Sequence, residues 1–470
     1  MPQQIPGKPE NKMGTMPIDK LLLSMSGPMI LSMLVQAMYN VVDSIFVSYI
    51  NENALTAVSL AFPVQNFMIA VSVGIGVGIN ALLSRSLGQR DFELASKTAN
   101  NGIFLNLISS VLFALIGIFC SRIFFQIQIA DQEIISYGQS YMFWVCTFSF
   151  GLFGQVLFTR LLQSTGQTFY CMVIQVVGAV ANVILDPILI FGLFGFPRLE
   201  VAGAAIATIL SQFIGTGVGL YYNLHYNKEI TMSIQGVLRP SMKVIRRINS
   251  VGIPSVIMMA ISSVMIFGVN QILVSFTKTA SAVFGVYFKL QGFIFMPVIG
   301  LNNGMVPIIA YNYGARRPDR IVKTIKLSVV YAVGIMALGL LLFQLCPKIL
   351  LGFFHPSPDM LSIGIPALRI ISICFPVAGY CIVCSSVFQA LGKGVMSMFI
   401  SIIRQLLVLL PAAYLLSLAG TLNLVWWAFP IAEVSSGTIA TIFILKAYKN
   451  VIKPLSEHEK ETFLNDPANG

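Results

Sequence analysis

Long apolar segments recur along almost the whole chain and constrain its fold more than any other feature. We count twelve, the first near residues 21–49, the fourth near 136–159, the tenth near 361–388 and the last near 424–446. A helix that crosses a bilayer needs about 20 apolar residues. Because lipid offers no partner for backbone amides and the segments lack strict alternation, they must be helices and not barrel strands. We therefore expect an all-α polytopic membrane protein with twelve transmembrane helices.

The composition supports a membrane location. Of the 470 residues, 56% are hydrophobic and only 10% are charged, and the mean hydropathy is +0.82, far from the average of soluble domains. Residues 1–20 are polar, and the apolar run that follows is too long for the core of a cleavable signal peptide. We expect the first span to remain in place.

The net charge of +11 reports membrane topology. Twenty-two of the 29 lysines and arginines fall in the two termini and in the connections after even-numbered spans. By the positive-inside rule, both termini are then cytoplasmic in a multi-pass protein of the cell membrane. The basic residues suit contact with anionic lipid, so they do not require a nucleic-acid partner.

The sequence repeats itself at an offset of 226 positions. Aligned pairs include Pro28 with Pro254, Gln65 with Gln291, Gly74 with Gly300, Gly78 with Gly304, and Gly88 with Gly314. Six spans is an even number, so the halves have the same orientation and form a parallel repeat about an axis along the membrane normal. This predicts an N-lobe at 1–225, a cytoplasmic linker at 226–248, a C-lobe at 249–450 and a cytoplasmic tail at 451–470. The architecture is two pseudo-symmetric six-helix lobes.

Enzymatic motifs are not found in the sequence. It has no HExxH pattern, no metal-ligand cluster and no nucleophile paired with a histidine. Cys381 and Cys384 have CxxC spacing, but they lie inside an apolar span, where packing is the expected role. We expect a protein that is not an enzyme and has no cofactor.

Asp43 is an ionisable side chain inside the first apolar segment. An ionised acid in hydrocarbon costs about 2.5 to 3.5 kcal/mol on insertion scales, so such residues are functional candidates. Gln36, Tyr39 and Asn40 precede Asp43 by seven, four and three residues, and helical spacing places them on its face. The first span therefore carries a polar stripe whose members are candidate substrate or coupling contacts.

Asp186 in the fifth span repeats this design, with Asn182 one helical turn before it. Both spans run from the cytoplasm outward, and both acids lie about 10 to 15 Å before the exit at 1.5 Å per residue. Pro187 has no amide hydrogen, so the carbonyl of Val183 is free to turn toward an ion or water. We expect the two acids at one depth, with Asp43, Asn182 and Asp186 forming a cation-coupling site.

Three interpretations of this acid pair stay open. Carboxylate, amide and carbonyl oxygens are ligands that suit Na⁺. Two acids at close range can instead hold one proton between them. The structural alternative is that each acid only hydrogen-bonds a neighbouring helix.

The acid pair belongs to the first half alone. A shift of 226 from Asp186 lands on Ala412, and the same shift from Asn182 lands on Val408. The scaffold was duplicated, whereas the candidate ion site was not retained in both copies.

Three basic residues, Lys289, Arg369 and Arg404, lie within spans of the second half, which also contains Glu433. We expect Lys289 and Arg369 to extend toward the interface or to neutralise Glu433. The alternative is contact with an anionic group of a substrate.

Five stretches resemble those of the multidrug and toxic compound extrusion (MATE) transporters. They are NVVDSIFV around Asp43, NVILDPILIFG in span 5, GAAIAT at the start of span 6, IAYNYGA after span 8 and WWAFPIAE in span 12. The similarity covers roughly residues 18–450 in the same twelve-span order, and the span 5 motif is the most specific of the five.

The resemblance implies an antiporter that exports small cationic amphipathic drugs in exchange for H⁺ or Na⁺ by alternating access. In the branch with these motifs, the N-lobe site corresponds to Asp43, Asn182 and Asp186, with Tyr141 as a neighbour. Another branch carries acids on spans 7 and 10. This sequence has none in span 7 and has Arg369 in span 10, so a cation site in the C-lobe is not expected. We expect a monomer.

The alternative function is a flippase or exporter of anionic lipid-linked saccharides, which belongs to the same broad superfamily. Central cationic residues are typical of those proteins, and Lys289, Arg369 and Arg404 are the corresponding features here. Their usual fourteen spans count against this alternative.

Overall fold

The computed structural model describes residues 11–354 and 356–455, and helices account for the regular structure of this part of the chain. The first half contains α1 (Lys12–Thr15), α2 (Ile18–Ser48), α3 (Glu52–Gly88), α4 (Phe92–Gln128), α5 (Gln132–Thr147), α6 (Phe150–Ser164), α7 (Thr168–Phe191) and α8 (Glu200–Tyr226). A short 3₁₀ turn, Leu193–Gly195, follows α7. The predicted lobe and tail also include residues 1–10 and 456–470, which lie outside the described residues.

The second half repeats this order after the small connecting helix α9 (Ile234–Leu238). It contains α10 (Met242–Phe276), α11 (Lys278–Gly314), α12 (Pro318–Leu345), α13 (Pro347–Gly352), α14 (Pro358–Ser372), α15 (Phe375–Ala390), α16 (Gly394–Ile402), α17 (Leu410–Ser417), α18 (Leu422–Val425) and α19 (Ala428–Ala447). Two π-helical segments, Ile403–Leu409 and Tyr448–Ile452, interrupt it. Because α10 begins at Met242, its first turns occupy part of the predicted linker. The lobe boundaries drawn from the sequence stay a prediction.

Within the described residues, ten helices are long and apolar enough to cross a membrane, and the number rises to twelve if each of two bent helix pairs is one span. The fold class is therefore the expected one, an all-α polytopic membrane protein. The two bent pairs are α5 with α6 and α14 with α15, and they occupy the predicted fourth and tenth spans.

The fourth and tenth spans are not the continuous helices that the apolar pattern predicts. The axes bend by 43° between α5 and α6 and by 50° between α14 and α15. In the second pair, Pro376 has no amide hydrogen for the carbonyl of Ser372, which weakens the helix at the bend. In the first pair, the Ser149 hydroxyl donates to the carbonyl of Ser110 on α4 at 3.3 Å. Both breaks fall at the same place in the repeat.

Unusual backbone conformations recur at the offset of 226. Arg90 and Arg316 both have positive φ, 59° and 55°, at the turns after α3 and α11. Gly166 and Gly392, with φ of 86° and 76°, take the corresponding positions after α6 and α15. The halves therefore share local backbone geometry as well as helix order.

Glycines let the two halves meet closely at one face of the molecule. A Cβ atom on Gly88 of α3 would overlap the carbonyl oxygen of Tyr311, and one on Gly314 of α11 would overlap the carbonyl oxygen of Arg85. These contacts are reciprocal, because Tyr311 is the repeat equivalent of Arg85. Only glycine permits such an approach of two backbones without a shift of either helix.

The N-terminal segment joins both halves at this same face. Arg320 of the second half donates to the carbonyls of Met13 and Met16 at 3.0 and 2.7 Å. On the other side, the Asn11 amide donates to both oxygens of the Glu229 carboxylate at 2.9 and 2.8 Å. Residues 11–16 therefore bridge the two halves where α2 begins.

Candidate functional site

Asp43, Asn182 and Asp186 meet where α2 packs against α7. Asp186 and Asn182 are 0% and 1% exposed. The Asn182 amide donates to Asp186 Oδ1 at 3.3 Å, and the carboxyl groups of Asp43 and Asp186 lie within hydrogen-bonding reach of each other. The structure thus brings together the three side chains that the sequence predicts, and their role in coupling stays a proposal.

Each of these three residues presents a buried oxygen that receives no hydrogen bond from the described part of the chain. The atoms are Asp43 Oδ1, Asn182 Oδ1 and Asp186 Oδ2. Leaving a buried polar group unsatisfied costs about 1 to 3 kcal/mol, so such groups need an explanation. A proton held on one carboxyl, or a bound Na⁺, would satisfy these oxygen atoms. The three oxygens therefore suit either cation.

The local sequence explains how α7 supports this arrangement. Asn182 and Asp186 are four residues apart, so one helical turn places the amide beside the carboxyl. Gly178, one turn earlier, lies against the side chain of Gln155, whose amide nitrogen would be 3.1 Å from an added Cβ. The missing side chain at Gly178 therefore leaves room for a polar neighbour on the same stripe.

The proline of α2 leaves one backbone carbonyl without its helical donor. Pro28 cannot donate to the carbonyl of Ser24. That carbonyl accepts a long hydrogen bond of 3.5 Å from the hydroxyl of Thr168, the first residue of α7. The freed acceptor thus joins the two helices that carry the acids.

Two tyrosines lie beside the acid pair. Tyr39 on α2 and Tyr141 on α5 both lie close enough to interact electrostatically with Asp43 and Asp186. Tyr141 is 4% exposed, and its hydroxyl donates to Gln65 Oε1 at 3.4 Å. Both predicted neighbours are therefore near the site.

The remaining predicted neighbours, Gln36 and Asn40, occupy less enclosed positions on α2. Gln36 is partly buried and Asn40 is exposed. They extend the polar face of α2 away from the enclosed carboxyls.

Sequence reasoning missed two glutamines of the N-terminal half. Gln65 contacts Tyr141. Gln155 lies between Gly178 and Gly215, and an added Cβ at Gly215 would be 2.8 Å from the side-chain carbonyl carbon of Gln155. A signal for Gln65 was available, since it is one of the residues that the repeat aligns.

Glu433 is paired with Arg404, so neutralisation of this acid by Lys289 or Arg369 is not supported, whereas the other roles expected of those two residues stay predictions. The Oε1 atom of Glu433 accepts a hydrogen bond of 3.0 Å from Arg404 Nη1, so Arg404 and not Lys289 or Arg369 neutralises it. Lys289 instead lies over the ring of Phe354, 6.0 Å from its centroid. The physical reason is tertiary, because α19 packs against the π-helical segment that carries Arg404.

Solved structures identify the general class of the fold. A crystal structure of a MATE protein in complex with MaL6 matches with a TM-score of 0.89 over 96% of this chain and 100% of that one, at 24% identity. The outward-facing conformation of a multidrug resistance MATE family transporter also matches with a TM-score of 0.89, over 96% and 99% of the chains at 23% identity. The fold is that of these solved MATE structures.

The particular family follows from the sequence. The MatE family profile matches residues 28–188 and 254–415, one segment in each half, so the chain belongs to the MatE family. The multidrug export protein MepA of Staphylococcus haemolyticus is 26% identical over 92% of this chain and 94% of its own length. The FAD transporter of Shewanella oneidensis is 25% identical over 90% and 93%.

Proposed function

We propose that this protein is a secondary active multidrug exporter that moves cationic amphipathic compounds in exchange for H⁺ or Na⁺ by alternating access. The observation that carries the proposal is the cluster of Asp43, Asn182 and Asp186, each with a buried oxygen that receives no hydrogen bond from the described residues. The similarity to MepA supports drug export as the transport activity.

The coupling step follows from the electrostatics of the acid pair. Two carboxylates at hydrogen-bonding distance repel each other, and one proton or one Na⁺ between them removes that repulsion. Asn182 orients Asp186 through its amide and offers its own oxygen to the cation. A cation that arrives from outside is driven inward by the membrane potential, which supplies about 2.3 kcal/mol per elementary charge per 100 mV.

The drug and the coupling cation compete through charge. A cationic drug is attracted to the lobe while the carboxyls are ionised, and that attraction falls when a small cation binds them. Binding of the ion from outside thus favours release of the drug to the outside. Return of the carrier to its inward-facing state completes the exchange.

The reciprocal glycine contacts suit a rocking motion of the two lobes. The Gly88 and Gly314 contacts bring backbone surfaces of α3 and α11 together at one face, where the Arg85 guanidinium also lies 4.7 Å from the centroid of the Tyr313 ring. Such a seal can separate as two rigid bodies, which is the motion that alternating access requires.

The proposed setting is the cell membrane. The positive-inside distribution places both termini and the Gly88 seal on the cytoplasmic side. We infer that the conformation described above is closed toward the cytoplasm. We propose that a single chain is the transport unit, with the lipid bilayer and small cationic drugs as its partners and no nucleic acid.

Proteoliposomes with separately imposed pH and Na⁺ gradients, in which one cationic dye is followed, test the proposal. We expect one gradient to accelerate dye transport in the wild type and neither gradient to do so in Asp43→Asn or Asp186→Asn. Asp319→Asn is the matched control, since Asp319 is exposed in the first turn of α12. Wild-type transport that responds to neither gradient would contradict antiport.

The flippase alternative has weaker support. Recognition of a lipid-linked pyrophosphate calls for several free cationic groups in one cavity. Arg404 is the one cationic side chain among the described residues that line its cavity, and Lys289 lies over the ring of Phe354. Loss of transport of an anionic lipid-linked saccharide in charge-removing variants of these cations, with the acid variants still active, would favour the flippase.

A further inference from the structure

A cavity with both apolar and polar lining residues lies in the C-terminal half, away from the carboxyl pair. Its volume is about 140 Å³, and it lies among α10, α15, α16, the π-helical segment and α19. The lining includes Arg404, Gln389 and the hydroxyls of Ser385, Ser401 and Ser436. Among the described residues that line it, Arg404 is the charged one, so the cavity presents hydrogen-bond donors and a positive group.

The ion pair of Arg404 leaves most of its donors available. A guanidinium has five N–H donors in a fixed fork, and Glu433 Oε1 accepts one of them, from Nη1 at 3.0 Å. Glu433 holds the guanidinium from α19, and the side chain of Arg404 is 23% exposed. The unoccupied part of the fork therefore remains accessible to a second acceptor.

The backbone at Arg404 is itself unusual. Residues Ile403–Leu409 are π-helical, directly before Pro411, whose ring excludes the helical bond to the carbonyl of Leu407. Such wide turns are frequent at functional sites. The buried amide oxygen of Gln405, in the same turn, receives no hydrogen bond from the described residues.

From these observations we propose that the Arg404 cavity is an anion subsite that receives a carboxylate of the transported compound. A planar carboxylate matches the guanidinium fork, and the serine hydroxyls and the Gln389 amide add donors around it. The cavity has room for the carboxylate and several further atoms, which suits the acidic end of an aromatic compound. The inference deepens the proposed function and rests on it.

The charge balance selects the class of compound. Arg404 and Glu433 together are neutral, so an anion without a counter-charge would leave a net negative charge in the membrane interior. A zwitterion carries its own counter-charge, so it adds no net charge beside this neutral pair. The subsite thus favours zwitterionic amphipathic compounds over cationic ones of the same shape.

Two dyes that differ in one group provide the test. Rhodamine B carries a free carboxylate beside its delocalised cation, and rhodamine B ethyl ester has that carboxylate masked. We expect Arg404→Gln to weaken binding of the acid to purified protein, measured by fluorescence anisotropy, by roughly tenfold, as loss of one charged hydrogen-bond pair implies. Binding of the ester should stay within about twofold of the wild type, a difference worth only a few tenths of a kcal/mol.

Glu433→Gln is the second variant, and it keeps the test valid if loss of Arg404 disturbs folding. It frees the guanidinium without removing it, so we expect tighter binding of the acid and unchanged binding of the ester. The proposed subsite would be wrong if Arg404→Gln lost the same affinity for both dyes, or if Glu433→Gln bound the acid more weakly than the wild type. If the wild type bound neither dye, that result would overturn the subsite together with the proposed drug export.

Discussion

At the scale of single residues, neutralising either acid should abolish coupled transport without loss of stability. Asp43→Asn and Asp186→Asn keep the shape of the side chain and remove repulsion between two carboxylates that lie within hydrogen-bonding reach of each other. We expect at least a tenfold fall in gradient-driven dye transport and a melting temperature no lower than that of the wild type, by tryptophan fluorescence. An unfolded variant, or a variant that transports at the wild-type rate, would count against this account.

The acid pair was also the most predictable part of the site. Intramembrane charge is expensive, so Asp43 and Asp186 stand out in the sequence, and helical spacing places Asn182 beside Asp186. The partner of Glu433 was not predictable in this way. Its choice among Lys289, Arg369 and Arg404 depends on which helix packs against α19, and spacing along one chain does not contain that information.

Asn182 should affect the coupling ion and not the fold. Asn182→Ala removes the amide that donates to Asp186 and one of the three oxygens offered to the cation. The loss of such a hydrogen bond costs about 1 to 2 kcal/mol, so the ion concentration for half-maximal transport should rise roughly tenfold. The matched control is Val183→Ala, since Val183 is 37% exposed on the same helix. An unchanged ion dependence in Asn182→Ala would remove this residue from the site.

At the scale of elements, hydropathy predicted where the spans lie but not their shape. The bends of 43° and 50° in the fourth and tenth spans leave the apolar pattern intact on both sides of the break. Pro376 gave a local signal for the second bend, whereas the first depends on a tertiary hydrogen bond from Ser149. The role of residues 11–16 also escaped prediction, because their backbone carbonyls and not their side chains contact Arg320.

The N-terminal segment should loosen when Arg320 is removed. Arg320→Ala removes the guanidinium that donates to the carbonyls of Met13 and Met16 at 3.0 and 2.7 Å. We expect faster hydrogen–deuterium exchange in a peptide that covers residues 12–25, because the helix start loses its tether. Asp19→Asn is the control, since it breaks an exposed ion pair with Lys323 that solvent screens. Equal exchange in all three proteins would show that Arg320 does not hold the segment.

At the scale of the whole molecule, the duplication was the strongest prediction from the sequence. The offset of 226 recurs in the positive φ of Arg90 and Arg316 and in the family profile, which matches one segment in each half. The way in which the halves meet was not predictable. Glycines in the repeat indicate close approach, but the sequence does not show that the partner of Gly88 is Tyr311 of the other half.

Gly88→Ala should shift the conformational equilibrium between the lobes. The added methyl group overlaps a backbone oxygen, and overpacking of this kind costs about 1 to 3 kcal/mol. We expect the population of the state that is closed at this face to fall roughly tenfold. Distances between spin labels at the positions of Lys97 and Lys326 measure this population, after exposed Cys120 has been replaced. Gly334→Ala is the control, because an added Cβ there meets nothing within 4 Å. Unaltered distances in Gly88→Ala would contradict the proposed rocking.

Displacement of the coupling ion by a drug tests the central claim most directly. A cationic dye is added to purified protein in weak buffer, and released protons and released radioactive Na⁺ are counted in the same sample. We predict that the wild type releases one of the two cations and that Asp43→Asn and Asp186→Asn release neither, although all three bind dye. Equal release from the wild type and both variants would show that the carboxyl pair does not hold the exchanged cation.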